Sequence, residues 1–278
     1  MGIRITTLSE NSAAMGDMLA EWGLSILVEM ETVKVLFDTG RSISASNNAD
    51  TLGIDLGGID KVVLSHGHYD HTGGLFQVLR RMRKDVEIIA HPEVWGDKYA
   101  HREGEEYRYI GIPFRRQYLE SLGAIFNLTT KAVKIADDIL TTGEVLMQTD
   151  FETTASMFYV REGDGWQPDM VLDDLALIVK TGLGLVVIVG CAHRGIINTL
   201  YQAQQLTGVR EIHTVLGGAH LVGESEERVW RTIAALKELD VKRLGLCHCT
   251  GLPAASLLAQ EFGERFFFNV TGSVIEVP

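Results

Sequence analysis

From Leu64 to Gly74 the chain reads Leu-Ser-His-Gly-His-Tyr-Asp-His-Thr-Gly-Gly, with three imidazoles and one carboxylate packed between positions 66 and 71. The whole chain has only 9 His in 278 residues, so a cluster this dense is not ordinary composition. It is too polar for apolar filler and calls for a cation nearby. Lys61, Val62, Val63 and Leu64 read as a short buried strand, and the extended segment beyond it would project His66 and His68 to one side, where they can grip one metal together. Asp70 and His71 fall where the chain turns, at Thr72-Gly73-Gly74, into an amphipathic helix starting near Leu75. Strand parity no longer fixes their direction there, and they can reach a second metal.

The pattern His66-x-His68-x-Asp70-His71 resembles the signature of the metallo-β-lactamase-fold hydrolases. That resemblance implies a four-layered αββα sandwich of the α/β (α+β) class, with one or two metals at the sheet edges. It implies a class of chemistry and leaves the substrate open.

With 46% hydrophobic residues the chain can bury a sizeable core, and one domain over 1–278 suits it. The formal net charge of −12 argues against a nucleic-acid partner, because a phosphate backbone needs a basic face and the only dense basic cluster is Arg80-Arg81-Met82-Arg83-Lys84. Three cysteines make an odd set, and Cys247 and Cys249 lie two apart on an expected strand, where they cannot easily bond each other. A reducing cytoplasm is the default location. The longest apolar run, Leu183 to Cys191, is about half of a membrane span, so no membrane partner is expected.

Taken in order, residues 3–8 and the pair 24–29 and 32–37 read as opening strands, the pair as a hairpin turning at Met30-Glu31. The second of the pair runs into Asp38-Thr39-Gly40, either a turn-forming carboxylate or an acid that orients a metal-binding histidine through its free ring nitrogen. His91 ends the strand 86–90 and could line the cleft. Residues 93–125, rich in aromatics and arginines, suit a lid or the arm of a homodimer. Short strands over 126–160 would complete the first half of a sandwich. A hairpin of 175–179 and 185–189 leads to Gly190-Cys191-Ala192-His193, and further strands deliver His220 in a glycine-rich turn and His248 at a strand end. The stretches Phe266-Phe267-Phe268 and 274–277 read as closing strands.

Two ion sites can be assembled from these residues: His66, His68 and His193 for one, and Asp70, His71 and His248 for the other, open to water as catalytic zinc sites are. The expected cofactors are two divalent ions, zinc by preference, with iron and manganese suited to the same donors. Such a pair lowers the pKa of a bound water and stabilises charge developing on a substrate oxygen, which fits hydrolysis of a small anionic ester or phosphoester. Asp70 and His220 are the catalytic candidates, His220 for proton transfer.

A closer resemblance, spread over nearly the whole chain, is to the dihydropterin synthase-like subfamily of metal-dependent hydrolases. It rests on Glu21-Trp22-Gly23-Leu24-Ser25, Phe37-Asp38-Thr39-Gly40, the His66 to Gly74 motif, Asp173-Asp174-Leu175-Ala176-Leu177, Gly190-Cys191-Ala192-His193-Arg194-Gly195-Ile196, Gly217-Gly218-Ala219-His220-Leu221 and His248-Cys249-Thr250-Gly251. The subfamily's name implies joining a dihydropterin to a ribosylaminobenzene phosphate, so a carbon–nitrogen transferase is the alternative activity. By the same resemblance Cys191 occupies the place of the usual bridging aspartate. Asp174 falls near the usual third histidine as a conceivable replacement ligand, and Trp22 stands where a histidine is expected.

Overall fold

The computed structural model describes residues 2–278, and strand parity accounts for its layers. Every side chain from Leu185 to Val189 is buried. Leu185, Val187 and Val189 pack with helices, whereas Val186 and Ile188 face a second sheet. Alternate residues of a strand leave on opposite faces, so an unbroken apolar run is what a strand covered on both sides requires.

The first half runs β1 (Ile3–Ser9), β2 (Ser25–Glu29), β3 (Lys34–Phe37), α1 (Ser44–Thr51), β4 (Lys61–Val63), α2 (Tyr69–Thr72), α3 (Leu75–Met82), β5 (Val86–Ala90), β6 (Lys98–Ala100), β7 (Arg108–Tyr109), α4 (Arg116–Glu120) and β8 (Ala124–Leu128). The second half runs β9 (Lys134–Ala136), β10 (Ile139–Thr141), β11 (Phe158–Glu162), β12 (Gly165–Pro168), β13 (Ala176–Thr181), β14 (Gly184–Val189), α5 (Ile196–Thr207), β15 (Ile212–Gly218), α6 (Glu226–Glu238), β16 (Arg243–Cys247), α7 (Leu252–Phe262) and β17 (Val274–Val277). One sheet is ordered β17-β1-β2-β3-β4-β5-β8 and the other β16-β15-β14-β13-β10-β9. Ile26, Val28, Val35, Phe37 and Val63 of the first meet Leu177, Val179, Val186, Ile188 and Leu216 of the second in the inter-sheet core. Helices α1 and α3 cover the outer face of the first sheet and α5, α6 and α7 that of the second, giving an αββα sandwich.

Strands β3, β4 and β5 run parallel, as do β14, β15 and β16. Parallel strands send their carboxyl ends to one edge, which is where α/β folds build their sites. The turns carrying Asp38, His66 to His71, His193, His220 and His248 therefore gather along one edge of the sandwich.

Two expectations are corrected. The hairpin over 134–141 belongs to the second sheet, because β10 pairs with β13 (Ile139 opposite Val179) and not with the first half; local alternation marks a strand but does not choose its partner. Phe266-Phe267-Phe268 is not a strand: Phe267 N donates one bond to the Leu244 carbonyl (2.9 Å), only an isolated bridge joins Leu244 to Phe266, and the chain then leaves the sheet.

Within 93–125, β6 and β7 join β11 and β12 in a separate four-stranded sheet, while α4 and β8 return to the first layer. Among the described residues no helix is long and apolar enough to cross a membrane.

Candidate metal centre

The anchor of the site is Asp38, fully buried at the end of β3 with φ of 59°. Its Oδ1 accepts from the Ser65 backbone N–H (2.7 Å), and its Oδ2 accepts from Ser65 Oγ (2.7 Å) and from His71 Nδ1 (2.7 Å). These bonds decide tautomers. Ser65 has one hydroxyl proton and gives it to the carboxylate, so Ser65 Oγ accepts from His66 Nδ1 at 2.8 Å. His66 Nε2 is left with a lone pair. The close approach needs a glycine opposite, since a Cβ on Gly190 would lie 2.1 Å from Ser65 Oγ.

His66, His68 and His193 form the first cluster. His66 Nε2 lies 3.0 Å from His68 Nδ1 and 3.2 Å from His193 Nε2. A tetrahedral ion bonded to imidazole at 2.0–2.1 Å spaces its donors about 3.3 Å apart, so the three nitrogens fit such an ion. Burial, and then the neighbouring histidines, push His66 well below the usual imidazole range; burial does the same to His68 and His193. Neutral rings with converging lone pairs are what a cation requires. Gly67, between the two motif histidines, donates to Asp173 Oδ2 (2.7 Å), and Asp173 is paired with the buried Lys98 ammonium (2.8 Å), which also holds Asp169 (2.9 Å).

Asp70, His71 and His248 form the second cluster. His248 Nε2 is 3.5 Å and His71 Nε2 3.9 Å from Asp70 Oδ2. His248 Nδ1 donates to Asn11 Oδ1 (2.9 Å), whose carbonyl identity is set by its second donor, Gly23 N, and the His248 backbone N–H donates to Glu10 Oε1 (2.9 Å). His248 Nε2 is thus buried without a partner. Burial opposes charge on His71, but Asp38 and Asp70 outweigh it and lift the imidazole to about 9. Burial likewise opposes charge on Asp70, and His71 and His248 hold it well below the carboxylate range all the same. A proton on His71 thus sits where a cation would compete for the same lone pair. The His66 and His71 rings, 4.3 Å apart, join the two clusters.

Cys191 Sγ lies 3.2 Å from His71 Nε2, beside the clusters. Asp174 falls outside both: its Oδ2 accepts from Arg194 N (2.9 Å), and burial pushes its carboxyl up to about 7. His91 is also apart, its Nδ1 accepting from Glu93 N (3.1 Å). His220, at φ of 42°, stands with its ring 4.3 Å from that of His193, and Trp22 lies 5.2 Å from the His248 ring. Phe158 packs on His68 and His193 at 5.1 Å each. Trp22, His68, Asp70, Phe158, Cys191, His193, His220 and His248 line a cavity of about 410 Å³, together with Ala100, Arg102, Arg108, Ile110 and Met157 of the small sheet and its loops. Sequence reasoning missed Glu10, Asn11, Ser65 and Lys98. Ser65 carried a signal, since a hydroxyl beside a motif histidine can relay a carboxylate; the other three carried none.

The pattern that defines the Metallo-beta-lactamase superfamily matches residues 23–248. The 7,8-dihydropterin-6-methyl-4-(beta-D-ribofuranosyl)-aminobenzene-5'-phosphate synthase of Methanocaldococcus jannaschii is 32% identical over 285 residues, spanning 99% of this chain and 96% of its own. A solved metal-dependent hydrolase of the beta-lactamase superfamily superposes with a TM-score of 0.86 at 30% identity over 99% of both chains. Zinc-bound PqqB of Methylobacterium extorquens, at 10% identity and a TM-score of 0.55, shares the fold alone. The chain belongs to the metallo-beta-lactamase superfamily, a family of metal-dependent enzymes.

Proposed function

We propose that the chain is a two-metal hydrolase acting on a small anionic ester or phosphoester. One observation carries this reading: two clusters of buried donors, His66, His68 and His193 beside Asp70, His71 and His248, meet at one cavity lined by His68, Asp70, His193 and His248, and His248 Nε2 has no hydrogen-bond partner. Two divalent cations, zinc by preference, supply when bound Lewis acidity toward the substrate oxygen and a water of lowered pKa.

The chain's own residues do the rest. Asp38 holds His71 directly and His66 through Ser65, and Asn11 holds His248, so the lone pairs stay aimed without rearrangement. Phe158 covers His68 and His193 and keeps water off that side. The His220 imidazole, exposed to the cavity beside His193, carries a proton to the departing oxygen. A net charge of −12 favours a small-molecule substrate over nucleic acid. Three unpaired cysteines suit a reducing cytoplasm.

A second reading has its own support. The synthase of Methanocaldococcus jannaschii matches the chain end to end, which favours a carbon–nitrogen transferase that condenses a dihydropterin with ribofuranosylaminobenzene phosphate. One experiment separates them. Metal-loaded protein is offered 4-nitrophenyl phosphate and bis(4-nitrophenyl) phosphate, and separately the pterin pair. Hydrolysis lost in His220→Asn is expected; condensation without hydrolysis would overturn the first reading.

A further inference from the structure

Beside the cavity that the donor clusters open into lies a second one, of about 480 Å³, and nothing in the reading above uses it. The two share Trp22, Val222 and His248 as walls. The remaining walls come from the turn after β1, the end of β16, the start of α7 and the stretch 268–270. Four large apolar side chains on this chamber are open to solvent: Leu252 at 77%, Phe268 at 52%, and Trp22 and Val222 at 45% each. Single exposed apolar residues are ordinary, but four around one hollow that adjoins the donor clusters mark a binding surface.

The buried polar side chains among its walls are already engaged within the protein. Glu10 accepts from the backbone N–H groups of His248 (2.9 Å) and Ser12 (2.7 Å), Thr250 Oγ1 accepts from the Ala219 N–H (3.1 Å), and Asn269 Oδ1 accepts from Thr7 Oγ1 (2.9 Å). What is left to a ligand is apolar surface, in a volume of the size that small-molecule sites have. The first cavity differs on the walls that the chamber does not share. Arg102 and Arg108 stand there, and whereas Arg81, Arg116 and Arg228 each hold a carboxylate, these two have no ion-pair partner among the described residues. One end of the combined space therefore suits an anion and the other an apolar group.

We propose that the second chamber receives an apolar, ring-bearing group of the substrate, whose anionic group lies in the first cavity between the donor clusters and the guanidinium groups of Arg102 and Arg108. The substrate class is then an aryl or arylalkyl ester of an anionic acid. The proposal rests on the reading of the chain as a hydrolase of anionic esters. Guanidinium groups pair with phosphate oxygens in a fork that fixes orientation, and a ring buried against Trp22, Val222, Leu252 and Phe268 adds affinity by leaving water. Trp22 and Val222, on the common wall, therefore decide which ring-bearing groups pass from one cavity to the other.

The test is calorimetric binding, to the zinc-loaded full chain, of methylphosphonate and naphthylmethylphosphonate, which resist hydrolysis, share the anionic group and differ by the ring. Burial of the ring predicts about 10–100-fold tighter binding of the naphthyl ligand by the wild type. Leu252→Asp, Phe268→Ala and Trp22→Ala should each lower that ratio of affinities about threefold or more. Equal affinities in the wild type would overturn the chamber as a substrate site and leave the hydrolase reading intact; if Leu252→Asp then also converted a dimer to a monomer, the patch would belong to a second copy of this chain. A naphthyl preference that Leu252→Asp and Phe268→Ala leave untouched would overturn it too, by placing the ring elsewhere. No binding of either phosphonate would overturn the chamber and the anionic-substrate reading together. Should Trp22→Ala fail to fold, the other two variants still decide, since both change side chains that are more than half exposed.

Discussion

The two donor clusters share one cavity and one carboxylate brace, yet they are built oppositely. His66, His68 and His193 offer three neutral imidazoles, kept neutral by burial. Asp70 and His71 carry charge before any cation arrives, with a proton on His71 balanced by Asp38 and Asp70. The first cluster is braced by Ser65 on one side and by Asp173 beneath Gly67 on the other. The second reaches across the sandwich to Asn11 and Glu10 at the end of β1. Burying lone pairs alone makes a site that waits for a cation; burying a charge pair makes one where the cation must displace a proton.

The largest expected break in this comparison is Lys98→Met. It strands Asp169 and Asp173 as buried carboxylates without their cation, which costs about 3–5 kcal/mol. Thermal unfolding of the metal-free protein reads that loss, and the first cluster should suffer alone in metal affinity because only it rests on Gly67.

Next comes Asp38→Ala, which removes the acceptor shared by His71 and, through Ser65, His66. Loss of such a brace typically costs 10–100-fold in metal affinity, and here both clusters should lose it. Asn11→Ala should cost about tenfold and only in the second cluster. Competition titration with a chromogenic chelator measures both; equal losses from the two clusters in Asn11→Ala would break the distinction.

These residues also mark how far the sequence could be read. The six candidate donors could be picked out because four of them sit between positions 66 and 71 and the others end strands whose apolar runs are plain, and the structure gathers them into two clusters. The opening hairpin was legible from alternation, and the helix starting at Leu75 from its amphipathic pattern. Asn11 was not, because its contact with His248 spans 237 positions and a polar residue after a strand looks like any loop. Lys98 reads as one more charged residue of the 93–125 stretch until Asp169 and Asp173, 71 and 75 positions later, pair with it. The hairpin over 134–141 was seen as strands but given the wrong sheet, since pairing with β13 is decided by which edge is free.

The gentlest effect is on pH. With the metals chelated, His66, His68 and His193 refuse protons that the unfolded chain accepts near 6.5, so stability falls as pH drops below that value. His71 keeps a proton up to about 9 that the unfolded chain releases near 6.5, so its contribution is complete below 6.5 and is lost as pH rises through 9. Unfolding of the chelated protein should therefore show a maximum near neutrality. In Asp38→Asn the alkaline decline should flatten while the acidic one remains, and a decline unchanged on both sides would contradict the proton on His71.

The most direct test of the account is metal content by plasma mass spectrometry on the wild type, His68→Ala and His248→Ala. Two separate ion positions predict about two equivalents in the wild type and about one in each variant. Content unchanged in both variants, or no metal in the wild type, would contradict the assignment of these clusters as the ion sites.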